Sequence, residues 1–214
     1  MKLTTVTNIS VDGVTQGHRR IDTGTGFEAG APGEDGGSGF ERFGWAPPLL
    51  DDDASMFISR TFQHAGAFLF GRRTYEIFAG SWGAGMDPGN PVGEALNTRP
   101  KYVASTTLTD PRWPGTTVLS GDVAGAVDKL RAEPGGDLQV WGSGTLIRWL
   151  LDHRLVDEIV LLTYPVVVGQ GTRLFPATGP DTGLRLVDLR STPKGLTIQT
   201  YRTTGRPRYE TVTT

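Results

Sequence analysis

The chain of 214 residues contains no cysteine. That removes disulfides, thiolate nucleophiles and cysteine-ligated metals together, and it suits a reducing compartment. An excess of one charge is also missing, since 21 Lys and Arg stand against 23 Asp and Glu with no long basic run. A nucleic-acid binder or a protein of anionic membrane surfaces would need such a run, so the expected partner is a small molecule. No segment is apolar for long enough to cross a bilayer, and Met1 to Thr7 lacks the apolar stretch of a secretory signal, which leads to the expectation of a cytoplasmic protein. The three histidines, His18, His64 and His153, have no paired ligand spacing, and no metal site is expected. Neither a Walker loop nor a Gly-x-Ser-x-Gly elbow occurs, so phosphoryl transfer and elbow-type hydrolysis have no support in the sequence.

What the chain has in quantity is glycine, 30 residues, with 14 prolines, which implies many turns and a loop-rich rim. The length fits one domain over 1–214. Leu3 to Ile9 alternates as a strand and ends before an Asp12-Gly13 turn. Residues 22–44 then form a Gly-rich insertion, a long loop that is either mobile or folded over a site. From Leu50 the residues Ala54, Phe57, Ile58, Thr61, Phe62 and Ala65 recur at helical spacing, with Asp51, Asp52 and Asp53 where a helix start favours negative charge. Ala67 to Phe70 reads as a buried strand, Thr74 to Trp82 as a helix, and Lys101 to Ser105 and Thr117 to Leu119 as strands. Asp122 is placed to cap a helix that the Pro134-Gly135-Gly136 breaker ends. A strand at Leu138 to Trp141, a helix over 144–153 and a β-branched strand from Glu158 to Val168 follow. The chain closes with a hairpin of Leu184 to Leu189 and Leu196 to Tyr201. Alternating β and α followed by β alone predicts a three-layer α/β/α fold whose mixed sheet is mainly parallel, with antiparallel C-terminal strands.

Two strand-to-helix passages carry the chemistry. In Trp141-Gly142-Ser143-Gly144-Thr145-Leu146 the glycines allow a ligand to approach the backbone, and the helix start offers unpaired N–H groups suited to a pyrophosphate. Ile147 stands where the Rossmann fingerprint needs its third glycine, which disfavours a conventional dinucleotide domain; the same glycines would also serve a plain tight turn. In Gly71-Arg72-Arg73-Thr74-Tyr75-Glu76 two arginines and a hydroxyl open a helix. Guanidinium groups there oppose the helix dipole, so the placement asks for an anion such as the ribose phosphate of an NADP-type cofactor; a solvated helix start is the plainer alternative.

These segments, together with Asn8-Ile9-Ser10-Val11-Asp12-Gly13, Val103-Ala104-Ser105-Thr106, Leu162-Thr163-Tyr164-Pro165 and Gly169-Gln170-Gly171-Thr172-Arg173-Leu174-Phe175-Pro176, resemble the dihydrofolate reductase superfamily. The branch most similar is that of the reductase domain of bacterial riboflavin biosynthesis. The resemblance implies a dihydrofolate-reductase-like fold and an NADPH-dependent oxidoreductase. It implies that Gly71, Arg72, Arg73 and Thr74 with Ser105 and Thr106 contact the adenosine and 2′-phosphate, and that Gly142, Ser143, Gly144, Thr145 and Leu146 form the pyrophosphate turn. Asn8 and the loop from Asp12 to Gly17 would border the nicotinamide. A carboxylate on the first helix, aligned with Asp53 and steadied by Thr163, would supply the proton. Relatives also imply a homodimer.

Asp12 is a rival acid beside the substrate, and equally a turn-forming aspartate; the three aspartates 51–53 equally serve as cap and dipole charge. Arg99 could receive an anionic substrate group, or be a surface arginine before a strand. Trp45, Phe57, Trp82 and Tyr164 are candidates to wall a flat heteroaromatic substrate, with the hydrophobic core as the alternative home for each. The expected activity is hydride transfer from NADPH to a pterin, pyrimidine, flavin or other imine-type metabolite. A non-catalytic nucleotide-binding module of the same fold, and a flavin-binding oxidoreductase, are the competing expectations.

Overall fold

The computed structural model describes residues 1–16, 41–83 and 89–210, so Gly17, His18 and most of the Gly-rich insertion lie outside the described residues. The chain runs β1 (Leu3–Ser10), a 3-10 turn at Pro47–Leu49, α1 (Asp52–Gln63), β2 (Ala65–Gly71), α2 (Arg72–Trp82), α3 (Pro91–Thr98), β3 (Lys101–Ala104), β4 (Thr116–Leu119), α4 (Val123–Ala132), β5 (Asp137–Trp141), α5 (Gly144–Asp152), β6 (Glu158–Tyr164), β7 (Leu184–Ser191) and β8 (Thr197–Thr203). The strands form one eight-stranded sheet in the order β4-β3-β2-β5-β1-β6-β8-β7. Every pairing from β4 to β6 is parallel, and β8 joins both β6 and β7 in antiparallel fashion. The expected architecture is therefore the observed one.

Alternation along the strands splits the core into two. Val6, Phe62, Phe68, Phe70 and Trp141 pack beneath α1, α2 and α3. Leu3, Ile9, Leu138, Val140, Ile147 and Leu150 pack beneath α4 and α5 on the opposite face. Polar groups between layers are matched: the Trp141 indole donates to Gln139 Oε1 at 2.9 Å, and Gln139 Nε2 donates to the Thr61 carbonyl of α1 at 2.6 Å. Gln139 is fully buried and thereby fixes α1 against β5.

Two elements depart from the sequence reading. Helix α3 was not foreseen, although Asn90 caps it by accepting from the N–H of Val92 at 3.0 Å and Pro91 occupies its first turn. Its eight residues are too few for a helical period to stand out. Strand β6 stops at Tyr164 instead of reaching Val168, because Pro165 has no N–H for the ladder. Val166 and Val168 turn aside and pack on Val14.

Replacing Gln139 by Leu should lower stability by about 1–3 kcal/mol, since the Thr61 carbonyl and the Trp141 indole both lose a buried partner. Urea unfolding would measure this, and an unchanged midpoint would show that the two groups find other partners.

Candidate functional site

The C-terminal ends of the parallel strands open into a cleft of about 990 Å³, at the upper end of the roughly 300–1,000 Å³ typical of small-molecule sites. Its centre is the meeting of two βα turns. The N–H of Gly71, at the end of β2, donates to Ser143 Oγ at 3.1 Å, and the N–H of Ser143 donates to Thr74 Oγ1 at 3.2 Å. The exchange is possible because Gly142 and Ser143 take consecutive left-handed conformations, with φ of 56° and 53°. Glycine adopts that conformation readily, whereas serine does so at a cost that its two hydrogen bonds offset.

Both helices that begin here lack a side-chain cap. Helices α1 and α3 begin away from the cleft wall and α4 begins at it, beside Gly121, and each is capped, by Asp51, Asn90 and Asp122 in turn. Among the described α-helices the two without a side-chain cap, α2 and α5, thus both open on the cleft, where backbone donors and two dipole ends attract negative charge. Arg72 stands on the rim, with Nε 2.7 Å from Glu76 Oε1 and Nη1 donating to Thr107 Oγ1 at 2.7 Å. Arg148 of α5 donates to Thr145 Oγ1 at 3.1 Å and to the Arg173 carbonyl at 3.2 Å. Trp141 backs the cleft and is stacked on Phe62 with ring centroids 4.0 Å apart.

At the far end lies Asn8, whose Oδ1 accepts from the Tyr164 hydroxyl at 3.2 Å. Burial first, and then the charge of Asp51, push the Tyr164 hydroxyl up to about 12, so it keeps its proton and turns the amide nitrogen of Asn8 away from itself. Beside it, Asp12 is a clasp: Oδ1 accepts from Ser10 Oγ at 2.6 Å and from the Val168 N–H at 3.0 Å, and Oδ2 accepts from the Gly169 N–H at 2.8 Å. Further hydrogen bonds from Thr15 N–H to the Thr172 carbonyl and from Leu174 N–H to the Gly13 carbonyl zip residues 11–16 to 166–174. The zip sets Thr15, Gln16 and Thr172 into the cleft wall.

Residues 1–198 match the family model of the RibD C-terminal domain. The chain belongs to the RibD C-terminal domain family. Similar proteins include YyaP of Bacillus subtilis (strain 168), itself uncharacterized, which is 25% identical over 155 residues, covering 72% of this chain and 82% of YyaP. Among solved structures, a Shewanella sp. PV-4 protein whose name assigns it to riboflavin biosynthesis superposes with a TM-score of 0.67 at 18% identity, covering 95% of this chain and 99% of the other. A pyrimidine reductase-like protein of Corynebacterium diphtheriae gives 0.59 at 15% identity, over 94% and 91% of the two chains. The fold is the dihydrofolate-reductase-like α/β fold of that family.

Within this RibD C-terminal domain, Asn8, Gly71, Arg72, Arg73, Thr74, Ser105, Thr106 and the segment from Gly142 to Leu146 all line the one cleft. The expected acid pair is not brought together. Asp53 is exposed on the first turn of α1, and Thr163 donates to Gln199 Oε1 at 3.3 Å. Thr163 shares the sheet face of Ile159 and Leu161, beneath α4 and α5, whereas α1 packs on the other face with Val160, Leu162 and Tyr164. Trp82 is buried in the core under α1–α3, and Phe57 packs against that core under the Arg190 guanidinium, 5.8 Å from its ring centre; neither lines the cleft. Trp45 meets Tyr164 edge-on at 5.4 Å, behind Asn8. Asp12 forms the clasp with residues 168 and 169 and does not itself line the cleft. The sequence reading passed over Arg148, although it lies three residues after Thr145 and so on the same helix face, and over Thr7, Phe43 and Trp149, which also line the cleft, as does Gln16 of the loop from Asp12.

The Ser10 hydroxyl, with the Val168 and Gly169 N–H groups, overcomes desolvation and lowers Asp12 from 3.8 to about 2. A lowered carboxyl stabilises the fold above its unfolded value and loses that contribution as pH falls through its folded one. Acidification from 3.8 towards 2 should therefore strip hydrogen-exchange protection from the amides of Val168 and Gly169. Asp12→Asn should show the same loss at neutral pH, and full protection in that variant would mean the clasp does not need the charge.

Proposed function

We propose that the protein is an NADPH-dependent reductase that passes a hydride to a small heteroaromatic or imine-type acceptor, of the pterin, pyrimidine or flavin kind. The observation that carries the reading is the pair of uncapped helix starts joined by the Gly71–Ser143–Thr74 exchange, with Arg72 and Arg148 beside them. The names of the riboflavin-biosynthesis and pyrimidine reductase-like relatives support the same class.

The donors present fit a dinucleotide with a further phosphate. The N–H groups at the start of α5, with Thr145 and Arg148, would hold the pyrophosphate. Arg72, Arg73, Thr74, Ser105 and Thr106 would hold the adenosine 2′-phosphate, which distinguishes NADPH from NADH. When bound, the cofactor supplies a hydride from its nicotinamide ring. Asn8, held by Tyr164, orients that ring through its amide nitrogen, and Trp141 excludes water from behind it. Proton delivery falls to water at the cleft mouth, because Asp12 stays ionised and occupied by its clasp while Asp53 sits outside the cleft. The same two facts favour a second reading, a nucleotide-binding module without turnover.

Titration followed by cofactor fluorescence should show NADPH binding at least about tenfold more tightly than NADH, and Arg72→Ala should remove most of that preference. Equal weak binding of both by the wild-type protein would reject the cofactor assignment. An acceptor screen at saturating NADPH then separates the two readings. Oxidation with a pterin, pyrimidine, flavin or imine supports the reductase, and Asp53→Asn should retain that rate; binding without oxidation supports the module.

A further inference from the structure

A second cavity, of about 340 Å³, lies on the α5 side of the sheet. Leu151 of α5, Ile159 of β6, Leu174, Phe175 and Leu184 give it apolar walls, and residues from the segment 176–182 complete the lining. Phe175 and Leu184 are 45% and 40% exposed, so the cavity opens to solvent between them. Its one charged side chain is Arg148, which also lines the cleft. Two of the five guanidinium N–H groups are engaged, by Thr145 Oγ1 and by the Arg173 carbonyl, both neutral acceptors. Among the described residues no carboxylate pairs with Arg148. Asp181 belongs to the wall segment, yet it is not part of the lining, and its carboxylate accepts from Arg206 Nε at 2.9 Å and from the Tyr209 hydroxyl at 3.1 Å. Together with the Gly183 N–H, which donates to the Gly205 carbonyl at 2.7 Å, these contacts fix the wall before any ligand arrives.

We propose that this cavity binds a small apolar carboxylate, its chain against Leu151, Ile159 and Leu184 and its carboxyl oxygens on the remaining N–H groups of Arg148. An apolar space with a single cation at its edge matches a ligand of the opposite make-up. A neutral ligand would leave the guanidinium idle, and a bare inorganic anion would leave the apolar walls wet. The volume stands near the lower end of the roughly 300–1,000 Å³ of small-molecule sites and holds about eleven water-sized groups at ~30 Å³ each, the size of a medium-chain acid. Resting on the cofactor reading above, the occupied site also weakens the dinucleotide. Arg148 cannot give the same N–H groups to the pyrophosphate and to the carboxylate, and the added negative charge repels the phosphates. The effect is reciprocal, since each ligand changes the affinity of the other by the same factor.

The test titrates the full chain with octanoate, octanamide and acetate by calorimetry, first without nucleotide. Octanoate should bind at least about tenfold more tightly than octanamide, the margin of one charge-assisted hydrogen bond, and at least as far ahead of acetate, which lacks the apolar chain. Leu184→Trp, which fills the mouth, should lose octanoate while keeping the NADPH affinity and melting temperature of wild type. Arg148→Gln should bring octanoate down to the level of octanamide, and it decides the matter if Leu184→Trp does not fold. Saturating octanoate should weaken NADPH about fivefold and no further. Absence of octanoate binding, equal binding of octanamide, or undiminished binding in folded Leu184→Trp overturns the proposal. A loss of NADPH affinity that grows without limit as octanoate is raised would place the acid in the cleft and overturns it too, and an NADPH affinity that octanoate leaves untouched overturns the coupling. If wild type binds octanoate, both variants lose it, and NADPH does not bind at all, the cofactor reading fails alone and the acid site stands.

Discussion

The site depends on one reciprocal contact: Ser143 accepts from the backbone of the β2–α2 turn and donates to the hydroxyl of Thr74. The sheet order makes it possible. β5 lies between β2 and β1 and runs parallel to both, so the chain leaves β2 and β5 side by side at the same end of the sheet. Without the left-handed pair Gly142 and Ser143, the serine side chain would not reach across to Gly71. The local backbone of one tripeptide thus determines whether two helix starts share one cleft or face separate solvent.

From that contact the electrostatics follow. A helix start attracts anions most when its N–H groups are unspent, and α1, α3 and α4 have spent theirs on Asp51, Asn90 and Asp122. The described wall of the cleft holds no carboxylate and carries arginines, hydroxyls and backbone donors. Arg72 does not depend on a ligand for its placement, because Glu76 one turn later balances it. That pair is exposed and screened, so it can open towards a phosphate at small cost.

The layering and the two βα turns were readable from the sequence because both are local: alternation, caps and glycines act within a few residues. What escaped was set by register. Thr163 and Tyr164 are neighbours in sequence, yet the pleat sends one beneath α5 and the other towards α1 and Asn8. A motif match places both at the strand end without saying which face each takes, and the acid pairing of Asp53 with Thr163 failed on that ground. Asp12 escaped for a related reason. Its turn with Gly13 was visible, but its partners at Val168 and Gly169 are brought to it by β6 ending at Pro165.

The far end of the cleft answers a different requirement from the phosphate end. Hydride transfer needs a ring held at a fixed angle more than it needs charge, and orientation comes from groups that cannot move. Asn8 is anchored by the buried Tyr164 hydroxyl, Tyr164 is met edge-on by Trp45, and Trp141 is stacked on Phe62 and tied through Gln139 to α1. The anchors come from β5, β6, α1 and the segment before the 3-10 turn, so a shift in any one of them would be resisted by the others. The carboxylate of Asp12 nearby is spent on holding residues 166–174 against 11–16, which keeps Gln16 and Thr172 in the wall. Positive and neutral donors at one end and rigid aromatic walls at the other make a site whose protein groups bind and orient, while the reacting electrons must come from what it binds.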